Sequence, residues 1–105
     1  MDLRLKGKNA VVLGGTRGIG RAIAETFANE GANVAICARK EDEIKSTVAA
    51  LKSKGVKATG GVADITDAAG LKGWIAKAGE ELGGIDILIS NAGAMAQGAD
   101  PASWE

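Results

Sequence analysis

The segment Gly14-Gly15-Thr16-Arg17-Gly18-Ile19-Gly20 follows the apolar run Ala10-Val11-Val12-Leu13 and opens an amphipathic stretch. A strand, a glycine-rich turn and a helix N-terminus in that order build an anion site from backbone alone. The first-turn N–H groups of a helix have no intrahelical acceptor, and the helix dipole places partial positive charge on them. A diphosphate can take those bonds where no side chain stands in the way, and glycine removes the side chain. The spacing suggests three roles. Gly14 lets the strand turn sharply, Gly18 lets backbone meet the diphosphate, and Gly20 lets the helix lie close on the strand. A tight strand-to-helix connection without a ligand accounts for Gly14 and Gly20 but leaves Gly18 without a purpose.

The end of the second apolar run speaks to which dinucleotide would fit. An acid there would grip the ribose hydroxyls of NAD. This chain has Ala38 and then Arg39, while Arg17 sits inside the glycine turn, which a βαβ unit brings beside that strand end. Two guanidinium groups converging on one point suit a 2′-phosphate through charge-assisted, often bidentate bonds. The expected cofactor is therefore NADP rather than NAD. Two solvated surface arginines are the plainer alternative. The missing acid also counts against a methyltransferase, which would want a carboxylate on its ribose.

The elements that must position these groups can be read from periodicity. Strands are expected over 10–13, 33–38, 57–63 and 86–90, the third weakened by Gly60 and Gly61. Helices are expected over 17–30, with Gly20, Ile23, Ala24 and Phe27 inward, and over 41–54, with Ile44, Val48 and Leu51 inward. Gly31 and Gly55 stand as their stops. Asp67 can cap a third helix whose stripe is Leu71, Ile75, Ala78 and Leu82. Gly70, Gly73 and Gly79 each cost that helix up to ~1 kcal/mol relative to alanine. Strands alternating with helices imply a parallel sheet with right-handed crossovers. Residues 94–100 read as loop, and 101–105 as a first helical turn with Pro101 near its start.

Composition narrows the function classes. The chain has 105 residues, room for one domain, with 13 basic and 13 acidic side chains. No global field draws nucleic acid or an anionic membrane, so neither is an expected partner. Histidine and tyrosine are absent, which removes any Ser–His arrangement and the usual metal-ligand clusters. The single cysteine, Cys37, excludes an internal disulfide and lies mid-strand as a small buried hydrophobe. No signal-peptide core or run of transmembrane length is present, so a cytoplasmic setting is expected.

Three segments together carry a family resemblance: Thr16-Arg17-Gly18-Ile19-Gly20 after the first strand, Ala63-Asp64-Ile65-Thr66 after the third, and Asn91-Ala92-Gly93 after the fourth. In order and spacing the chain resembles the N-terminal half of short-chain dehydrogenase/reductases. The resemblance implies a Rossmann-type three-layer α/β/α fold with a parallel sheet, its first four strands in the order 3-2-1-4. Residues 1–105 would then be the dinucleotide-binding part of one Rossmann domain whose C-terminal half is absent. It also implies that Asp64 accepts a bond from the adenine amino group and that Ile65 flanks the ring. Asn91 would brace the central strands, while Ala92 and Gly93 would let backbone approach the cofactor ribose. Asp64 read on its own is a carboxylate at a strand's C-terminal end, or else a turn or capping aspartate. Trp74 and Trp104 read as packing residues.

Family chemistry further needs a tyrosine acid, a lysine four residues later and a carbonyl-polarising serine, and none can be placed here. Ser90 and Ser103 do not match the serine, and no catalytic or metal-binding residue is assigned. A fourth strand that is apolar on both faces would be left as a sheet edge, which points to one half of a larger protein. The expected whole is an NADP(H)-dependent oxidoreductase acting on a small-molecule carbonyl or alcohol, a homo-oligomer as its look-alikes often are. Residues 1–105 alone would be inactive. A noncatalytic dinucleotide-binding or sensor module is the alternative.

Overall fold

The structure is a computed structural model that describes residues 5–14, 18–64 and 66–90. In chain order its elements are β1 (Asn9–Leu13), α1 (Gly18–Asn29), β2 (Asn33–Ala38), α2 (Glu41–Lys52), β3 (Ala58–Val62), α3 (Ala68–Leu82) and β4 (Ile87–Ser90). Every strand pair is parallel and the sheet order is β3-β2-β1-β4. This is the expected Rossmann-type arrangement, with boundaries within about three residues of those the periodicity implies. The loop expected over 94–100, the helical turn over 101–105 and Trp104 lie outside the described residues.

Period-two alternation divides the sheet's side chains between two cores. Val12, Val34 and Ile36 point to one face, where they meet Ala24 and Ala28 of α1 and Leu51 of α2. Val11, Ala35 and Cys37 point to the other, where they meet Ala78 and Leu82 of α3, with Leu71, Trp74 and Ile75 packed alongside. Strands covered on both faces read as unbroken apolar runs, which is why β1 and β2 show no polar alternation. Among the described residues β4 pairs with β1 alone, and Leu88 is left 43% exposed.

The helix ends follow their local chemistry. Gly31 and Gly55, just past α1 and α2, have φ of +89° and +86°. Asp67 caps α3 by accepting from the Gly70 amide at 3.2 Å, and Gly83 closes the helix with its N–H on the Gly79 carbonyl at 2.9 Å. On the solvent side of α1, Arg21 pairs with Glu25 at 2.8 Å.

Adjacent Gly60 and Gly61 do more than weaken β3. At these two positions side chains of the covering helices press onto the strand backbone, one from each face. A Cβ on Gly60 would lie 2.6 Å from Ile44 Cγ2 and 2.9 Å from Val48 Cγ2 of α2. A Cβ on Gly61 would run into the indole of Trp74 on α3. The β-propensity lost at both positions is exchanged for helix–sheet contact on both sides of one strand.

At the N-terminal edge of the sheet a polar ladder ties all four strands together. The Asn9 N–H donates to Asp86 Oδ2 at 2.8 Å, Asn33 Nδ2 donates to Asn9 Oδ1 at 2.9 Å, and the Lys57 N–H donates to Asn33 Oδ1 at 3.0 Å. Each side chain satisfies backbone or amide groups that the strand starts would otherwise leave open. These bonds tie the strand starts to one another, and the loops of the candidate site leave from the opposite edge.

Candidate dinucleotide site

The C-terminal ends of β1, β2 and β3 are laced into one rim. The Gly14 N–H donates to the Cys37 carbonyl at 3.0 Å, and the Ala63 N–H donates to the Ala38 carbonyl at 3.0 Å. Gly14, Arg39 and Asp64 therefore begin the loops on a common edge. In the order β3-β2-β1-β4, consecutive connections run one way from β1 and then switch to the other side, between β1 and β4. Open α/β sheets bind ligands at such a switch point, beyond the strands' carboxyl ends.

The glycine turn has the backbone that the spacing anticipates. Gly14 has φ of +79° and Gly18, the first residue of α1, has φ of +51°, both in the left-handed region that side chains disfavour. A Cβ built on Gly18 would meet nothing within 4 Å, so the approach to the first turn of α1 is open on that side. Gly20 is buried in that turn, and Ile19 beside it is 71% exposed, a large apolar side chain at the mouth of the rim. Open backbone donors at a helix start suit a diphosphate, so these residues fit the expected group.

Arg39 and Asp64 flank the same rim, both exposed. Asp64 Oδ1 accepts two bonds, from the Thr66 hydroxyl at 2.6 Å and from the Thr66 N–H at 2.8 Å. Its own carbonyl accepts from the Asp67 N–H at 2.9 Å. The Thr66 bonds, with a smaller contribution from the nearby Arg39 charge, hold the Asp64 carboxyl below the ordinary aspartate range. Asp64 is thus both the turn aspartate and a carboxylate fixed at a strand end. In the sequence Thr66 stands out only as the last residue of Ala63-Asp64-Ile65-Thr66; a hydroxyl two residues after an aspartate is the signal for such a turn.

Of the residues expected at the site, the structure brings Gly14, Gly18, Ile19, Gly20, Arg39 and Asp64 to this edge. Thr16, Arg17, Ile65, Asn91, Ala92 and Gly93 lie outside the described residues. Among the described residues no cluster of three His, Cys, Asp or Glu side chains could hold a metal, and no helix is long and apolar enough to cross a membrane.

This fold coincides with that of an established group. Residues 8–105 match the short chain dehydrogenase family model. The chain belongs to the short-chain dehydrogenase family. It is 42% identical over 91 residues to short-chain dehydrogenase/reductase SDRA of Arabidopsis thaliana, covering 87% of this chain and 36% of that protein. Among solved structures, a short chain dehydrogenase from Burkholderia cenocepacia in complex with NADP superposes with a TM-score of 0.83 at 40% identity, covering 91% of this chain and 40% of that one. An NAD+-bound xylitol dehydrogenase superposes with a TM-score of 0.77 at 29% identity, covering 81% of this chain and 33% of that one. The chain spans roughly a third of the length of such curated relatives, 29%, 33% and 36% in three of them.

Proposed function

We propose that this chain supplies the cofactor-binding half of an NADP(H)-dependent oxidoreductase that interconverts small-molecule carbonyls and alcohols. The observation that carries the reading is Arg39 at the end of β2, where a dinucleotide site selective for NAD would place an acid. A guanidinium there attracts a 2′-phosphate and has nothing comparable to hold on a bare ribose. The NADP-bound relative, at 40% identity, is also nearer in sequence than the NAD+-bound one, at 29%.

In this reading the first turn of α1, entered through Gly14 and opened by Gly18, takes the diphosphate with backbone N–H groups. Arg17 joins Arg39 on the 2′-phosphate. Asp64 and Ile65 hold the adenine, and Asn91, Ala92 and Gly93 line the route toward the nicotinamide ribose. When bound, the nicotinamide supplies the hydride chemistry, and the chain's own residues contribute affinity and orientation. No residue here is assigned proton transfer to the substrate.

Titration calorimetry on Arg39→Ala tests the cofactor assignment. NADPH binding is expected to weaken about tenfold or more, the scale of one lost charge-assisted contact, while NADH binding changes by less than about twofold. Equal losses for the two cofactors overturn the 2′-phosphate role.

A further inference from the structure

We infer that Thr66 is a positioning residue for adenine recognition: its hydroxyl and its N–H both bind Asp64 Oδ1, which leaves Oδ2 as the oxygen that accepts from the exocyclic amino group. The inference rests on the proposed role of Asp64 and deepens it.

The argument begins with hydrogen-bond capacity. An ionised carboxylate only accepts, and a freely rotating one at a strand end would spread its acceptance among solvent and ligand. Here one oxygen is occupied twice, by the Thr66 hydroxyl at 2.6 Å and the Thr66 N–H at 2.8 Å. The backbone on either side is also tied down, with the Ala63 N–H on the Ala38 carbonyl at 3.0 Å and the Asp67 N–H on the Asp64 carbonyl at 2.9 Å. Among the described residues Oδ2 takes no bond. Two donors on Oδ1 fix the plane of the carboxyl, and the ligand meets an acceptor whose direction is already set. That preorganisation reduces the ordering cost of binding.

Charge works in the same direction. The Thr66 bonds and the neighbouring Arg39 guanidinium favour the ionised form of Asp64. An ionised carboxylate can only accept, which matches an amino group. The contribution of Thr66 is geometric: it occupies one oxygen and turns the other outward. That orientation favours a ligand with a donor at that point. Adenine, with its amino group, is such a ligand, and hypoxanthine, with a carbonyl in its place, is not.

The experiment compares binding of NADP and of its hypoxanthine analogue by titration calorimetry, using the full chain and three variants. The unaltered chain is expected to prefer NADP by about tenfold, the scale of one hydrogen bond to a charged group. Thr66→Val should compress that ratio toward one, and Thr66→Ser, which restores the hydroxyl, should recover it. In parallel, the Asp64 carboxyl titration followed by NMR should move upward in Thr66→Val and return in Thr66→Ser. If Thr66→Val keeps the full preference, or weakens both ligands equally, while Asp64→Ala loses the preference, the positioning role is overturned and the role of Asp64 stands. If the unaltered chain and Asp64→Ala are alike indifferent to the two bases, Asp64 does not read adenine and both the role of Asp64 and the inference built on it fall.

Discussion

Gly61 has no side chain where Trp74 lies, and the indole of α3 rests against β3 through that gap. The contact anchors α3, the helix that packs on the Val11, Ala35 and Cys37 face of the sheet, to the strand that leads into Asp64. Gly61→Ala would drive a methyl into the ring and force either the helix outward or the indole off its rotamer. Overpacking of this kind costs about 1–3 kcal/mol. Urea unfolding followed by tryptophan fluorescence is expected to show a lower midpoint, and the free energy of unfolding extrapolated to water falling by about that amount. An unchanged midpoint would mean that Trp74 has another place to go and that α3 is not fixed by this contact.

The ladder at the opposite edge makes a separate prediction. Asn33 bridges three strands, donating to Asn9 Oδ1 at 2.9 Å and accepting from the Lys57 N–H at 3.0 Å. Asn33→Ala removes both bonds and leaves the Lys57 amide to solvent. Two net hydrogen bonds amount to about 1–3 kcal/mol, at the lower end here because the site is partly wet. Hydrogen exchange should report the loss locally. The Lys57 amide is expected to exchange faster in the variant, while amides in mid-β1 slow or quicken only with global stability. Exchange at Lys57 that does not change would show that the amide has no stake in the ladder.

Much of this architecture is legible in the sequence. Val11 to Leu13 and Val34 to Cys37 are unbroken apolar runs because both faces of each strand are covered, and the alternation of helices between them dictates parallel pairing. Gly14 and Gly18 were readable because only glycine suits the left-handed backbone of the turn, and Arg39 because its place at a strand end is set by chain order alone. Other features depend on partners far away in sequence. Gly60 and Gly61 look like weak strand residues until Ile44, Val48 and Trp74 are seen against them. Thr47 is fully buried on α2, one position to the side of the stripe drawn through Ile44, Val48 and Leu51, because the helix is covered over a wider arc than the stripe alone. The paired bonds from Thr66 to Asp64 needed the turn's own geometry.

Cys37 carries the remaining prediction. It is fully buried in β2, on the α3 face of the sheet. Burial pushes its thiol above the ordinary value of about 9.0, with a weaker opposing pull from the Gly14 amide. The thiolate is the reactive species, so the folded chain is expected to resist alkylation by iodoacetamide at about pH 8, where the urea-unfolded chain labels readily. The same displacement sets a sign for stability. Above the ordinary thiol value the unfolded chain has lost a proton that the folded chain keeps, so the unfolded state binds fewer protons and stability falls as pH rises. The contribution is whole below that value and disappears as pH climbs through the raised one. Cys37→Ala removes the titrating group at the cost of a small cavity. The unaltered chain should therefore be the more stable at neutral pH, and its margin over the variant should narrow in alkaline urea titrations. Labelling of the folded chain as fast as the unfolded one, or a margin that stays constant with pH, would contradict the close packing of α3 over β2.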